Sequence, residues 1–319
     1  MVGEAGPGDM ATLEERLGRR IVGQRAAVKT VVDALGRAGH SDHAGVQRPR
    51  AVFLFVGPPG VGKTELARVL AEELNGSSSA LIHFDMKDFT TARSTAKLVG
   101  GPPGSPEQDQ RATLVAHLRT QPHAVLLFDE VEHAHEDVLD VLVRLVSEGA
   151  LADGDGHAAG ARDSIVIMTS NILESQDDSP IGVTHDVPPA RLAAPHGFAA
   201  PLEGHSDAGV DRHGRGRDGV IVRFSPLAVA DLYFVAGRRV HDVVARAGEV
   251  HAVVVDVAAE VLPWLVAKAV KEGPGARAIA RTVETYLTKR LDGFLASGKG
   301  FGRVRVSVGA NGLDVHAAV

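Results

Sequence analysis

The stretch that most constrains this chain is Gly57-Pro58-Pro59-Gly60-Val61-Gly62-Lys63-Thr64, taken with what flanks it. Before it stands Arg50 to Val56 (RAVFLFV), a continuous apolar run of strand length, of the kind buried on both faces of a parallel sheet. After it, Lys63 to Leu74 follows a helical pattern. A G-x-x-x-x-G-K-[ST] turn between a strand and a helix is a phosphate-binding loop. Its glycines let backbone N–H groups close around phosphates, and the helix N-terminus adds positive potential. In such a loop Lys63 reaches the β- and γ-phosphates and the Thr64 hydroxyl binds Mg2+.

Four more apolar runs read as strands: Ala80 to Phe84, Ala124 to Phe128, Ser164 to Met168 and Val220 to Phe224. Alternating with helical segments, they predict an α/β domain with a mostly parallel sheet. Two of these strands end in polar groups. Leu126-Leu127-Phe128-Asp129-Glu130 sets an acidic pair at the carboxyl end of a buried strand, where doubly wound sheets bind ligands. Asp129 would hold the magnesium shell, and Glu130 would orient and deprotonate an attacking water. Thr169-Ser170-Asn171 ends the next strand, and a short amide there can sit between the acidic pair and the γ-phosphate.

Residues 1–11 read as a short polar tail and 12–224 as the large α/β domain. Within it, Thr12 to Ala38 is helical but interrupted at Arg20-Ile21-Val22-Gly23-Gln24. Residues 172–219, rich in Gly, Pro, His and Asp, predict a flexible insert. Residues 225–319 form a smaller unit with helices around Leu227 to Ala247, through Trp264, and from Ala276 to Leu295. Its end alternates apolar and polar residues around Ala310-Asn311-Gly312, a β-hairpin signal.

Composition narrows the partners. A net charge of −6 gives no support to general nucleic-acid binding, which usually wants a basic face. The chain has no cysteine, which removes disulfides and thiolate chemistry and fits a cytoplasmic setting. No apolar run reaches the roughly 18 residues of a membrane span, and Met1 to Met10 lacks the pattern of a signal peptide. His133 and His135 do not share a helix face, and His40 and His43 lack partners at ligand spacing, so no structural metal is expected beyond nucleotide-borne magnesium.

These elements, in this order, resemble the AAA+ ATPases. Arg20 to Gln24, Asp85-Met86, Leu98 to Gly104, Glu130 to His135 and Gly275-Ala276-Arg277 resemble the second ATPase module of Clp/ClpB-type chaperones. The similarity runs from about Leu13 to Gly302 and is weakest across 172–219. It implies a P-loop AAA+ parallel-sheet domain followed by a smaller helical or α+β lid. It also implies ATP or ADP with Mg2+ as ligands, hydrolysis of ATP, and assembly of identical subunits into a ring, usually a hexamer. By the same resemblance Ile21 and Val22 line the adenine pocket, Asn171 is sensor 1 and Arg277 is sensor 2. The family's arginine finger falls at Arg217, with Arg215 as the alternative in Asp211-Arg212-His213-Gly214-Arg215-Gly216-Arg217-Asp218.

The departures shape the functional expectation. In Clp-type modules Gly-Pro-Pro-Gly leads into a central-pore loop with Tyr-Val-Gly, whose aromatic ring packs on an extended substrate. Here Ser105, Pro106 and Glu107 take those places. No amino-terminal recognition domain, first module or coiled-coil middle domain is present in this sequence, so target choice is expected to come from elsewhere. Ile181-Gly182-Val183 resembles the apolar-Gly-apolar loop by which some members dock on a barrel protease. The leading expectation is a ring-forming ATPase that remodels a partner protein. The alternative is a nucleotide-gated assembly or regulatory module with slow hydrolysis and no threading. A P-loop kinase fits less well, because Arg277 and the Clp-like segments argue against it.

Overall fold

A computed structural model describes residues 7–38, 48–101, 113–171, 219–297 and 302–318. The chain divides into two compact units, Met1–Pro58 with Lys63–Phe224 and Pro59–Gly62 with Ser225–Val319. In chain order the first carries α1 (Pro7–Arg20), α2 (Arg25–Ala38), β1 (Ala51–Val56), α3 (Lys63–Asn75), β2 (Leu81–Asp85), α4 (Ser94–Val99) and α5 (Leu114–Thr120). There follow β3 (Val125–Asp129), α6 (Glu136–Glu148), β4 (Ala150–Ala152), β5 (Ala158–Gly160), β6 (Ile165–Ser170) and β7 (Val220–Arg223).

Five of these strands form one parallel sheet in the order β2-β3-β6-β1-β7. The reason is legible in burial. Every residue of β6 is buried, and β3 is buried until its last residue, Asp129. Only a strand covered on both faces tolerates that composition. Phe53, Phe55 and Phe128 are fully buried, and Phe84 stacks on Phe128 with ring centroids 5.5 Å apart. The register pairs Val56 with Ser170, Phe128 with Met168 and Asp85 with Asp129. The carboxyl ends of β1, β2, β3 and β6 therefore finish together, and the polar groups that follow them share one edge.

α1 and α2 are separate helices broken at Ile21 to Gln24, where the sequence places an interruption. Arg20 donates to Glu72 at 2.9 Å and Arg16 to Glu73 at 2.7 Å, which ties α1 to α3, the helix that follows the phosphate loop. α6 ends at Gly149 in the left-handed region (φ 73°), whose N–H donates to Leu145 O at 3.0 Å. The short antiparallel pair β4–β5 then forms around an Asp153 turn that accepts from Asp155 N and His157 N.

The second unit contains α7 (Val229–His251), β8 (Val254–Val257), α8 (Val261–Glu272), α9 (Gly275–Thr282), a π-turn (Val283–Thr288) and α10 (Lys289–Leu295), then β9 (Arg303–Gly309) and β10 (Gly312–Ala317). Its sheet runs β10-β9-β8, with β9 antiparallel to β10 and parallel to β8. The expected hairpin is present, with Ala310-Asn311 turning between paired Gly309 and Gly312. One helix was expected over 276–295. Instead the backbone widens into a π-turn across Val283–Thr288, a stretch with three β-branched residues, Val283, Thr285 and Thr288, which crowd an α-turn. Leu232, Leu265, Ile279, Leu287, Val306 and Leu313 fill the core between helices and sheet. Among the described residues no helix is long and apolar enough to cross a membrane.

Candidate active site

β1 delivers the chain into Gly57, where the backbone has little room. Its φ is +152°, and a Cβ placed there would stand 2.5 Å from the Phe224 carbonyl oxygen. Only glycine fits this conformation and this approach. Pro59–Gly62 group with the second unit, where the Ala276 N–H donates to Gly60 O at 2.8 Å. Gly275 sits against the same carbonyl, its φ of +73° leaving no place for a side chain. Arg277, the expected sensor 2, lies two residues on in α9.

Lys63 opens α3 and is only 7% exposed. Its ammonium donates to Gly57 O at 2.6 Å, Pro58 O at 2.9 Å and Asn171 Oδ1 at 2.9 Å. A nearly buried ammonium needs acceptors, and three neutral oxygens supply them. The same three donors suit phosphate oxygens. Thr64, the next residue, donates to Asp129 Oδ2 at 3.1 Å. A hydroxyl and a carboxylate so close together are hard oxygen donors of the kind Mg2+ accepts alongside substrate phosphates. The residues present thus fit a magnesium nucleotide.

Thr169, fully buried at the end of β6, links the acidic pair. Its hydroxyl donates to Asp129 Oδ1 and accepts from the Glu130 N–H at 2.9 Å. Glu130 follows the strand in the left-handed region (φ 58°, ψ 58°), which for a non-glycine residue is uncommon. That turn swings its carboxylate toward Lys87, with which it forms an ion pair, and to 3.5 Å from His133 Nε2. Asn171 lies at the next strand end, where its backbone N–H donates to Glu132 Oε1 at 2.9 Å.

The charge states follow from these contacts. Burial pushes the Asp129 carboxyl up, but hydrogen bonds from His83, Thr169 and Thr64 outweigh it and hold it below the ordinary range. Burial likewise raises Glu130, and the Lys87 and Asn171 hydrogen bonds overcome that. His83, 3.4 Å from Asp129 Oδ2, is raised by its hydrogen bond to that carboxylate against the pull of burial. A raised histidine adds stability below its ordinary titration range and loses it as pH rises through the raised value. The depressed Asp129 adds stability above the ordinary carboxylate range and loses it as pH falls. The pair therefore contributes most in mildly acidic solution. In thermal unfolding, His83→Ala should lower Tm more at about pH 5.5 than at about pH 8.5. Equal losses at both would remove the pair from the stability account.

The structure thus gathers Lys63, Thr64, Asp129, Glu130 and Asn171 at one edge of the first unit's sheet. Ile21 is buried and Val22 half-buried at the α1–α2 junction, with Ile21 N–H donating to Leu17 O. Sequence reasoning missed four participants, His83, Lys87, Glu132 and the bridging role of Thr169. Of these Thr169 had a signal, as part of Thr169-Ser170-Asn171, and Glu132 stood in the Clp-like segment Glu130 to His135 with no role attached. Ser105, Pro106, Glu107, Ile181-Gly182-Val183, Arg215, Arg217 and the 172–218 stretch lie outside the described residues, as do His40 and His43.

Comparison with known proteins agrees with this picture. A sequence model of the family described as AAA domain (Cdc48 subfamily) matches residues 48–184. Chaperone protein ClpB of Mycobacterium leprae is 47% identical over 162 residues, 50% of this chain and 19% of that protein. Probable chaperone protein ClpB 1 of Chlorobaculum tepidum is 33% identical over 296 residues, covering 90% of this chain and 65% of that protein. ClpB of Propionibacterium freudenreichii is 34% identical over 313 residues, 95% of this chain and 34% of that protein. The chain spans from about a fifth to just under two thirds of these relatives. In sequence and in fold alike, the chain is similar to the AAA+ ATPases, and the matches support a module of the Clp/ClpB type.

Proposed function

We propose that this chain binds and hydrolyses ATP and spends the energy on remodelling a partner protein. The observation that carries the reading is Asn171, whose side-chain oxygen accepts from the Lys63 ammonium at 2.9 Å and whose amide helps hold the Glu130 carboxyl below its ordinary range. In this reading one amide serves both a phosphate-facing cation and a water-facing base. Lys63 holds the β- and γ-phosphates, while Ile21 and Val22 line the adenine pocket. Thr64 and Asp129 hold Mg2+, which neutralises charge on the phosphates when bound. Glu130 takes a proton from water as its oxygen bonds the γ-phosphorus, and the bridging oxygen leaves with ADP. Arg277 reports the γ-phosphate to the second unit. Arg217, or Arg215, serves a neighbouring subunit as finger in a ring of identical chains, a hexamer by the Clp/ClpB resemblance, working in the cytoplasm. An Ile181-Gly182-Val183 contact with a barrel protease would be a further partner.

A second reading is a nucleotide-gated assembly module with slow hydrolysis and no threading. Ser105, Pro106 and Glu107 favour it, since a hydroxyl offers little of the flat contact that an aromatic gives an extended chain. Phosphate release from ATP, measured with Mg2+ and after its removal by a chelator, tests the first. We expect turnover that the chelator abolishes. No release above background, together with no ATP-dependent change in size, would defeat the hydrolytic reading. Release without ATP-dependent unfolding of a tagged substrate would favour the second.

A further inference from the structure

Asn171 stands just beyond the sheet. The ladder of β6 with β1 ends at Ser170, and the bond found for the Asn171 N–H among the described residues goes to Glu132 Oε1 at 2.9 Å. Glu132 lies in the short 3-10 turn Val131–His133, directly after the left-handed Glu130. One carboxylate thus fastens the end of β6 to the turn that follows β3, across 39 positions of sequence. Its other oxygen, Oε2, is buried with no hydrogen-bond partner among the described residues. That is a costly way to satisfy one N–H, because a desolvated carboxylate oxygen forfeits its water.

We propose that Glu132 is a positioning residue for ATP hydrolysis, acting through Asn171 and not on the nucleotide. The role rests on the hydrolytic reading above. The Asn171 side chain must meet Lys63 on one side and Glu130 on the other. Both partners are anchored independently, Lys63 by the loop carbonyls and Glu130 by Thr169 and Lys87. Among the described residues the asparagine's backbone has no such anchor beyond Glu132. Releasing its N–H frees the strand end to shift, and a displacement near 1 Å at a reacting centre costs on the order of 10²-fold in rate.

The test is a kinetic cycle on the full chain. Glu132→Ala should lower kcat about 10- to 100-fold while leaving ATP affinity within about 3-fold. Glu132→Gln, whose amide oxygen can accept the same N–H, should restore most of the rate. Glu132→Asp, one methylene short, should not. In an Asn171→Ala background the further change Glu132→Ala should alter kcat by less than about 2-fold, since there is no side chain left to position. If Glu132→Ala fails to fold, the Gln and Asp variants carry the same comparison. A wild-type kcat in the Ala or Asp variant, a dead Gln variant, or an undiminished effect in the Asn171→Ala background would each overturn the role. A wild type that releases no phosphate would instead take down the hydrolytic reading, and this role with it.

Discussion

Glu130→Gln should keep ATP and lose its hydrolysis, with kcat falling about 10²- to 10⁴-fold, the range general-base catalysis contributes. The substitution keeps shape, and the Glu130 N–H to Thr169 bond is backbone and survives. It removes only the carboxylate that would accept the proton. Its ion pair with Lys87 is lost as well, but Lys87 is 52% exposed, so folding stability should change little. The measurements are phosphate release and the binding of a fluorescent ATP analogue. Wild-type turnover in the variant would move the base to another group, and Glu132, on the neighbouring turn, would be the next to examine.

Lys63→Ala should have the complementary effect, weakening binding ahead of chemistry. The Lys63 side chain is the charged donor in the mouth of the phosphate loop, and a hydrogen bond to a charged group is worth about 1.5–3 kcal/mol, or about 10- to 150-fold in affinity. The cleanest readout is ligand-induced stabilisation. ATP at about 100 times its Kd raises unfolding free energy by about 2.7 kcal/mol, and a 100-fold loss of affinity shrinks that to about 0.4 kcal/mol. The apo variant should still fold, since its loop carbonyls can turn to water. A full ATP-dependent shift in Lys63→Ala would mean that the nucleotide sits elsewhere.

Much of this arrangement was legible in the chain because the physics behind it is local. β1 and β3 declare themselves as apolar runs without polar alternation, and the motifs at their ends are contiguous. The hairpin at Ala310-Asn311 is equally local. The β4–β5 pair was not legible. Its strands are three residues each, built mostly of alanine and glycine, and such side chains carry no period. The ties among site residues were hidden for another reason. His83 to Asp129, Lys87 to Glu130 and Glu132 to Asn171 each join residues about 40 positions apart, and which side chains meet is decided by strand order, not by spacing. The π-turn lay concealed inside an unbroken helical pattern.

The position of β1 in the sheet has a consequence for synthesis. Both of its neighbours, β6 and β7, are encoded far downstream. At about 5–20 residues per second, the roughly 160 positions from Val56 to Val220 take about 8–32 s to leave the ribosome. For roughly the first two thirds of that interval, until β6 emerges, Ala-Val-Phe-Leu-Phe-Val has no partner on either edge, and the β7 edge stays open to its end; the strand carries no charge or proline to discourage foreign pairing. The strand that launches the phosphate loop is thus the segment most exposed to misassembly in the nascent chain. A strand so placed calls for rapid synthesis of the rest of the sheet, or for shielding while the chain is being made.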